Sequence, residues 1–307
     1  MLTKTKSLFV CLIILASIFG IIIVFSNFNK DSKVVSQKYN FPKQIEVAIG
    51  QSGTSLEKQY GPLVNANKRN FGLNFYTIDA DNHGQSVEAA IKTGGITTII
   101  PNAMSISATE DRDRSVGFTN IDIGAEINRD EFVPHPIAHQ YVMELVRHLR
   151  KTGWRYRIYE TDPRLKGQAA FDYYKQENID PDYPLTFAQW MALPRPLTWR
   201  FYADHTYLSL KVERDINHLD SAKPGAYYIS LTFQPREEVE RLEVDEKDRD
   251  NWRATWVERY RKYRAERNLA EAKLRAKGIP IDTHYQEPPL PPPPAGQHNP
   301  TIPDDLK

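Results

Sequence analysis

The chain reads as an α+β protein, with antiparallel sheet packed with helices behind one N-terminal transmembrane helix. Three observations predict this. Residues 8–26 (LFVCLIILASIFGIIIVFS) are an uncharged apolar run of 19 residues, which as a helix at ~1.5 Å per residue spans roughly 28 Å, about one bilayer core. Residues 197–233 hold three alternating apolar–polar runs separated by turn residues, the pattern of a meander. Residues 136–152 and 248–277 carry helical periodicity.

Lys4 and Lys6 precede the apolar run and no acid does. The positive-inside tendency makes residues 1–7 a cytoplasmic stub, 8–26 the anchor, and the rest of the chain exported. Lys30 and Lys33 follow the run, with Asp31 between them. A cleaved signal peptide is the rival reading. Its apolar region normally runs ~7–15 residues and ends in a small-x-small site, whereas this run is longer and Phe25 and Asn27 spoil the site. Cys11 is the only cysteine. Val10 before it, and only three apolar residues ahead of it, argue against a lipoprotein signal. The exported part therefore has neither disulfide nor thiolate metal site, and its stability rests on a core. Lys plus Arg is 40 and Asp plus Glu 39, so no long-range charge draws the chain to nucleic acid.

The polar stretch 27–43 reads as a tether. Residues 44–49 alternate as a short strand; 50–53 turn, and Thr54 or Ser55 caps a helix reaching Tyr60. Strands are expected at 74–80, 95–101, 104–109 and 118–127, divided by Asp, Asn and Gly turns. The helix at 136–152 repeats Ile137, Tyr141, Leu145 and Leu149. Pro136 suits its first turn, basic residues crowd its last, and Gly153 stops it. A strand at 154–159 and a short helix at 169–176 follow, and then a helix opened by a capping box of Thr186 and Gln189. The meander is 197–203, 206–213 and 226–233, with Ala203, Asp204 and His205 at the first turn. Its alternation puts Trp199, Phe201, Leu208 and Leu210 inside, with Arg200 and Lys211 facing away. The helix at 248–277 bears an aromatic stripe of Trp252, Trp256, Tyr260 and Tyr263, continued by Leu269 or Leu274. Residues 287–300 hold seven prolines and no core pattern, so an extended or disordered tail is expected. The organisation is thus an N-terminal α+β subdomain at 44–153, a C-terminal one at 154–278, and a Pro-rich tail at 279–307.

Four groups of residues invite chemistry. His135 and His139, four apart, can face one metal, but Pro136 stands where zinc helices carry Glu and no third ligand is evident. Gly50, Gln51, Ser52 and Gly53 lie between strand and helix, where a turn can cradle phosphate, without the Walker lysine or a nucleophile elbow. Asp79, Asp81, Asp111, Asp113, Asp122 and Glu126 offer carboxylates, mostly at turns. No catalytic residue, cofactor or metal is assigned. Asp162, Arg164, Tyr202 and Asp204 lie beside aromatic strands and are the expected partner-binding surface; the alternative is that they organise turns and core. The aromatic stripe at 248–277 has a similar choice, between a partner helix or lipid surface and the protein's own core.

The series Gly153-Trp154, DPRLKG at 162–167, LTFAQWMAL at 185–193, WRFYADHTYLSL at 199–210 and KPGAYYISL at 223–231 resembles a group of bacterial envelope proteins. Their genes often lie near type VI secretion clusters, and some are proposed immunity proteins. The likeness covers about half the chain, roughly 139–286, and brings no active site with it. Most members are lipoproteins or carry a signal anchor, and the lipobox is absent here. With the apolar run, the expectation is a single-pass protein of the bacterial inner membrane, held through residues 8–26, with its C-terminal domain in the periplasm and a protein partner, either a secreted toxin or an envelope component. An immunity protein that covers a toxin's site is the expected function. An envelope assembly or scaffold component is the alternative, and an envelope hydrolase a third reading.

Overall fold

The computed structural model describes residues 41–70 and 72–306. The stub at 1–7 and the anchor at 8–26 lie outside these residues, as does most of the tether. Among the described residues no helix is long and apolar enough to cross a membrane.

Ten strands of the described chain make one mostly antiparallel sheet. β1 (Gln44–Ala48) pairs in parallel with β4 (Val87–Thr93). β4 pairs with β5 (Ile96–Asp111), β5 with β6 (Phe118–Ala125), and β6 with β10 (Tyr227–Pro235), all antiparallel. β10, β9 (Thr206–Arg214) and β8 (Leu197–Ala203) form the expected meander, and the two-residue β7 (Arg155–Tyr156) closes that side. β3 (Leu73–Asp79) pairs with β5, and β2 (Asn65–Lys68) with β3. The stretches 44–153 and 154–278 therefore contribute to one sheet, joined where β6 meets β10.

β5 merges two expected strands. It has 16 residues, and its first half pairs with β4 while its second half pairs with β3. The break between the two expected strands is a bend. Pro101 removes a ladder donor, Asn102 takes a left-handed conformation at φ 53°, and the register with β6 shifts between Ala103 and Ser105. Asn102 is held there because its side-chain amide donates to the Ile127 carbonyl at 2.9 Å. The parallel β1–β4 pair departs from the antiparallel expectation, and β4 itself, VEAAIKT, shows no alternation because both of its faces are largely buried.

Register carries one apolar row across the sheet. Ile78 faces Ile106, Ile106 faces Ile123, Ile123 faces Leu231, Leu231 faces Leu210, and Leu210 faces Trp199. All six are at most 2% exposed. α2 (His135–Thr152) buries Ala138, Val142, Leu145, Val146 and Leu149 in the same cluster. Gly153 ends this helix at φ 111°, and Trp154 turns back beneath it, its indole N–H donating to Thr98 at 2.8 Å. Because side chains alternate, Tyr202 and Tyr207, direct cross-strand partners, share the opposite face. They are buried too, so this part of the sheet is covered on both sides.

Four other boundaries differ. Ser52, two to three residues earlier than the expected Thr54 or Ser55, caps α1 (Gly53–Tyr60) by accepting from the Ser55 amide. The strand expected at 154–159 shortens to β7, after which Arg157 stacks on Tyr207. The helix expected from 248 begins as a 3-10 turn, Glu246–Asn251, and becomes α6 (Trp252–Ala276), preceded by the unexpected α5 (Arg236–Leu242). The Pro-rich tail is neither free nor featureless: Pro288, Pro291 and Leu306 are buried. The short helices α3 (Gly167–Tyr174) and α4 (Phe187–Ala192) stand close to where they were expected, α4 with both bonds of its capping box.

Phe201, wholly buried, should cost about 3–5 kcal/mol when replaced by alanine, through lost transfer energy and the cavity left behind. Thermal melts of the two proteins check this; a shift within two degrees would contradict the packing of β8.

Candidate functional site

The four residues expected to form a binding surface have other duties. Arg164 forks onto Glu271 of α6, through Nε at 2.8 Å and Nη2 at 2.9 Å, and its backbone amide also donates to Glu271 at 3.1 Å. Tyr202 is 4% exposed and donates its hydroxyl to the Gln286 carbonyl at 2.7 Å. Asp162 is half-buried at a turn closed by its amide on the Tyr159 carbonyl, and burial pushes its carboxyl up. Asp204 holds the left-handed corner of the β8–β9 hairpin at φ 47° and contacts His205 at 3.0 Å. It is the exposed member of the four. Arg164 thus fastens α6 to the 162–167 loop and Tyr202 fastens the chain after α6 to β8, so the four do not make one free face.

Beneath α6 lies a cluster of guanidinium, carboxylate and phenol groups. Glu240 of α5 is 2% exposed and accepts from Arg236 at 2.8 Å, Arg259 at 3.0 Å and the Tyr260 hydroxyl at 2.8 Å. Arg157 lies 3.4 Å over the Tyr207 ring and 5.0 Å from that of Tyr159, with Glu160 at 3.9 Å. Glu243 accepts from Arg259 at 2.7 Å. Burial first, and then the neighbouring Glu240 and Glu160 carboxylates, push its carboxyl up to about 7. Glu271 shows the opposite balance: burial opposes its charge, but the Arg164 hydrogen bonds outweigh this and hold it at about 2.

The other sequence candidates resolve into structure. His139 contacts the Leu185 carbonyl at 2.8 Å, and His135 contacts the Tyr227 hydroxyl and, at 3.2 Å, the Asp220 carbonyl. The two rings therefore look to different partners, and burial lowers the affinity of His135 for a proton. In the 50–53 turn, the place an anion would take at the start of α1 is filled from within: the Gly53 amide donates to Glu110 at 3.2 Å. Gly53 itself rests on Tyr76, whose ring lies where a β-carbon would be. Asp79 and Asp111 accept from backbone amides at their turns, Glu126 pairs with Arg129, and Asp122 takes the Thr232 hydroxyl at 2.6 Å. Among the described residues, no three His, Cys, Asp or Glu side chains are grouped to hold a metal.

Sequence reasoning missed a surface at the loops beside His135. The 215–225 loop is bridged to the loop before α2 by Val133 and Gly225, whose backbone groups bond reciprocally at 2.8 and 2.9 Å. Only glycine fits at 225, because a β-carbon would come within 2.4 Å of His135. On this braced platform Phe132 is 37% exposed, Ile216 64% and Leu219 37%. The Phe132 ring packs against His218 at 4.7 Å. The available signal was two apolar residues, Ile216 and Leu219, inside an otherwise polar turn-rich run.

Comparison with protein-family models, curated proteins and solved structures finds no match. The site's chemistry therefore rests on these residues alone.

Arg164→Ala strands the Glu271 carboxylate with only the half-exposed Arg275 at 2.9 Å. A loss of about 3 kcal/mol in chemical denaturation is expected, and an unchanged midpoint would refute the fastening role. Glu243 binds a proton more tightly folded than unfolded, so its contribution falls as pH rises from about 4.5 to 7. Glu243→Gln should accordingly raise the melting temperature at pH 8 and leave it nearly unchanged at pH 4. The gain is small, since a third of the side chain meets solvent. A gain confined to acid pH would reverse the assignment.

Proposed function

We propose that the chain is a membrane-anchored binding protein of the bacterial periplasm. Within that class we favour an immunity protein that neutralises a secreted toxin acting on the envelope. The apolar run at 8–26 supports the address, and the ordered pieces between 139 and 286 support the class. The observation that carries the binding role is the platform of Phe132, Ile216 and Leu219. The three are exposed on two loops joined by the Val133–Gly225 bridge and by the Phe132–His218 ring contact, and contiguous exposed apolar surface is the usual mark of a protein contact. The bracing by His135 and Gly225 lowers the ordering cost of using them. Steric cover of a partner's site needs affinity and no chemistry from this chain.

A scaffold component would use the Pro-rich tail and the long charged helix as docking elements. In the fold these two pack on each other, which favours the loop platform as the contact and leaves the scaffold reading second.

The test is capture of the product of an adjacent toxin-like gene by the full chain in detergent. Phe132→Ser with Ile216→Ser should weaken capture at least tenfold with the melting temperature within about 2 °C of the parent. Equal capture by parent and variant would remove the platform, and no capture by the parent would move the scaffold reading ahead.

A further inference from the structure

The tail makes a set of contacts that resembles a bound ligand more than a packed loop. Glu287 enters between Arg267, its close partner, and Arg264 at 3.7 Å. Arg236 donates to the Pro288 carbonyl. Arg253 bonds Asn299 at 3.0 Å, and Asn299 in turn donates to the Pro291 carbonyl at 2.9 Å. Arg261 pairs with Asp305 at 3.1 Å, and Arg264 donates to the Leu306 carbonyl at 3.1 Å. Between the arginines run the rings of Trp252, Trp256 and Tyr260, with Leu306 and Leu290 in contact with that cluster. Trp256 and Tyr260 stack at 3.9 Å.

Each feature has a reason in the chemistry of a proline-rich chain. Prolines lack the amide donor, so a run of them leaves carbonyls that find acceptor roles outside any helix or sheet. This tail has neither helix nor strand over 287–294 and then turns at Ala295 and Gly296, which brings Asn299 back to Pro291. Arginines supply donors aimed outward from a helix, and flat rings fit the pyrrolidine faces; aromatic-lined grooves recognise proline-rich segments on this basis. The donors come from α5 and α6, which are themselves held by Glu240, Glu237 and Glu271. Most of the tail between Pro292 and His298 remains exposed, so its hold is a short series of anchors.

We infer that the face formed by α5 and α6 is a recognition groove for proline-rich segments headed by an acidic residue, occupied in this state by the chain's own tail. A partner carrying such a segment competes with the tail for the groove. This surface is separate from the loop platform, and either can stand without the other. Because the tail is tethered, it competes at an effective concentration on the order of millimolar. The intact chain thus discriminates against weak ligands and admits those that match its own pattern of carboxylate, prolines and leucine.

The test uses the full chain in detergent and a fluorescent synthetic peptide of residues 286–306. One variant weakens the resident tail with Glu287→Ala, Leu290→Ser and Leu306→Ser. It should bind the peptide at least tenfold more tightly than the parent, and adding Trp256→Leu to it should abolish binding. A scrambled peptide of the same composition should bind at least tenfold less well. Equal affinity of parent and variant, or no binding by a variant that still melts cooperatively, overturns the proposal. So does loss of the cooperative melt in the tail variant, because the tail would then be an inseparable part of the fold.

Discussion

Two carboxylates removed from water, Glu240 and Glu271, constrain how the whole C-terminal half is assembled. Neither charge is tolerable without partners, since taking an ion into a protein interior costs several kcal/mol. Each is therefore met by one arginine four residues away on its own helix and by one from another part of the chain. Glu240 draws Arg236 and Arg259 together with Tyr260; Glu271 draws Arg164 and Arg275. Such pairs add little net stability over apolar packing, but only one arrangement satisfies them all. Their effect is to dictate where α5, α6 and the 162–167 loop sit against the sheet.

The sheet imposes the complementary constraint. β5 is long enough to serve two different neighbours because it bends at Pro101 and Asn102, and through β6 it reaches the meander. The result leaves free edges, which are protected in distinct ways. On β1 the Tyr60 hydroxyl bonds the Glu46 backbone, accepting from its amide at 2.6 Å and donating to its carbonyl at 3.2 Å. β7 is only two residues long, and β2 only four. A side-chain plug and short strands both deny a second chain a pairing template.

The proposed binding role rests on what these constraints leave outside. Glu271 takes up Arg164 and the Gln286 carbonyl takes up Tyr202, two of the four residues that looked like a recognition surface, and the tail packs against Trp252, Trp256 and Tyr260 of the α6 stripe. What remains presented are loops braced from below, at Phe132, Ile216 and Leu219, while the chain's own tail lies on the face of α5 and α6.

Elements whose cause is local were legible in the chain. The meander, α2 with its glycine stop, and the capping box of Thr186 and Gln189 depend on alternation, helical period and side chains three residues away, all visible in a short window. β4 was not legible, because burial on both faces erases alternation, and β5 was read as two strands because a bend and a break share the same Pro-Asn signature. The partners of the four expected site residues were not legible, since nothing near Arg164 announces a partner 107 residues on, and nothing near Tyr202 announces the returning backbone at Gln286. Local periodicity decides which residues can face inward. Which face is covered, by what, and which charges are thereby taken from solvent depends on contacts between remote segments, and only the folded chain settles those.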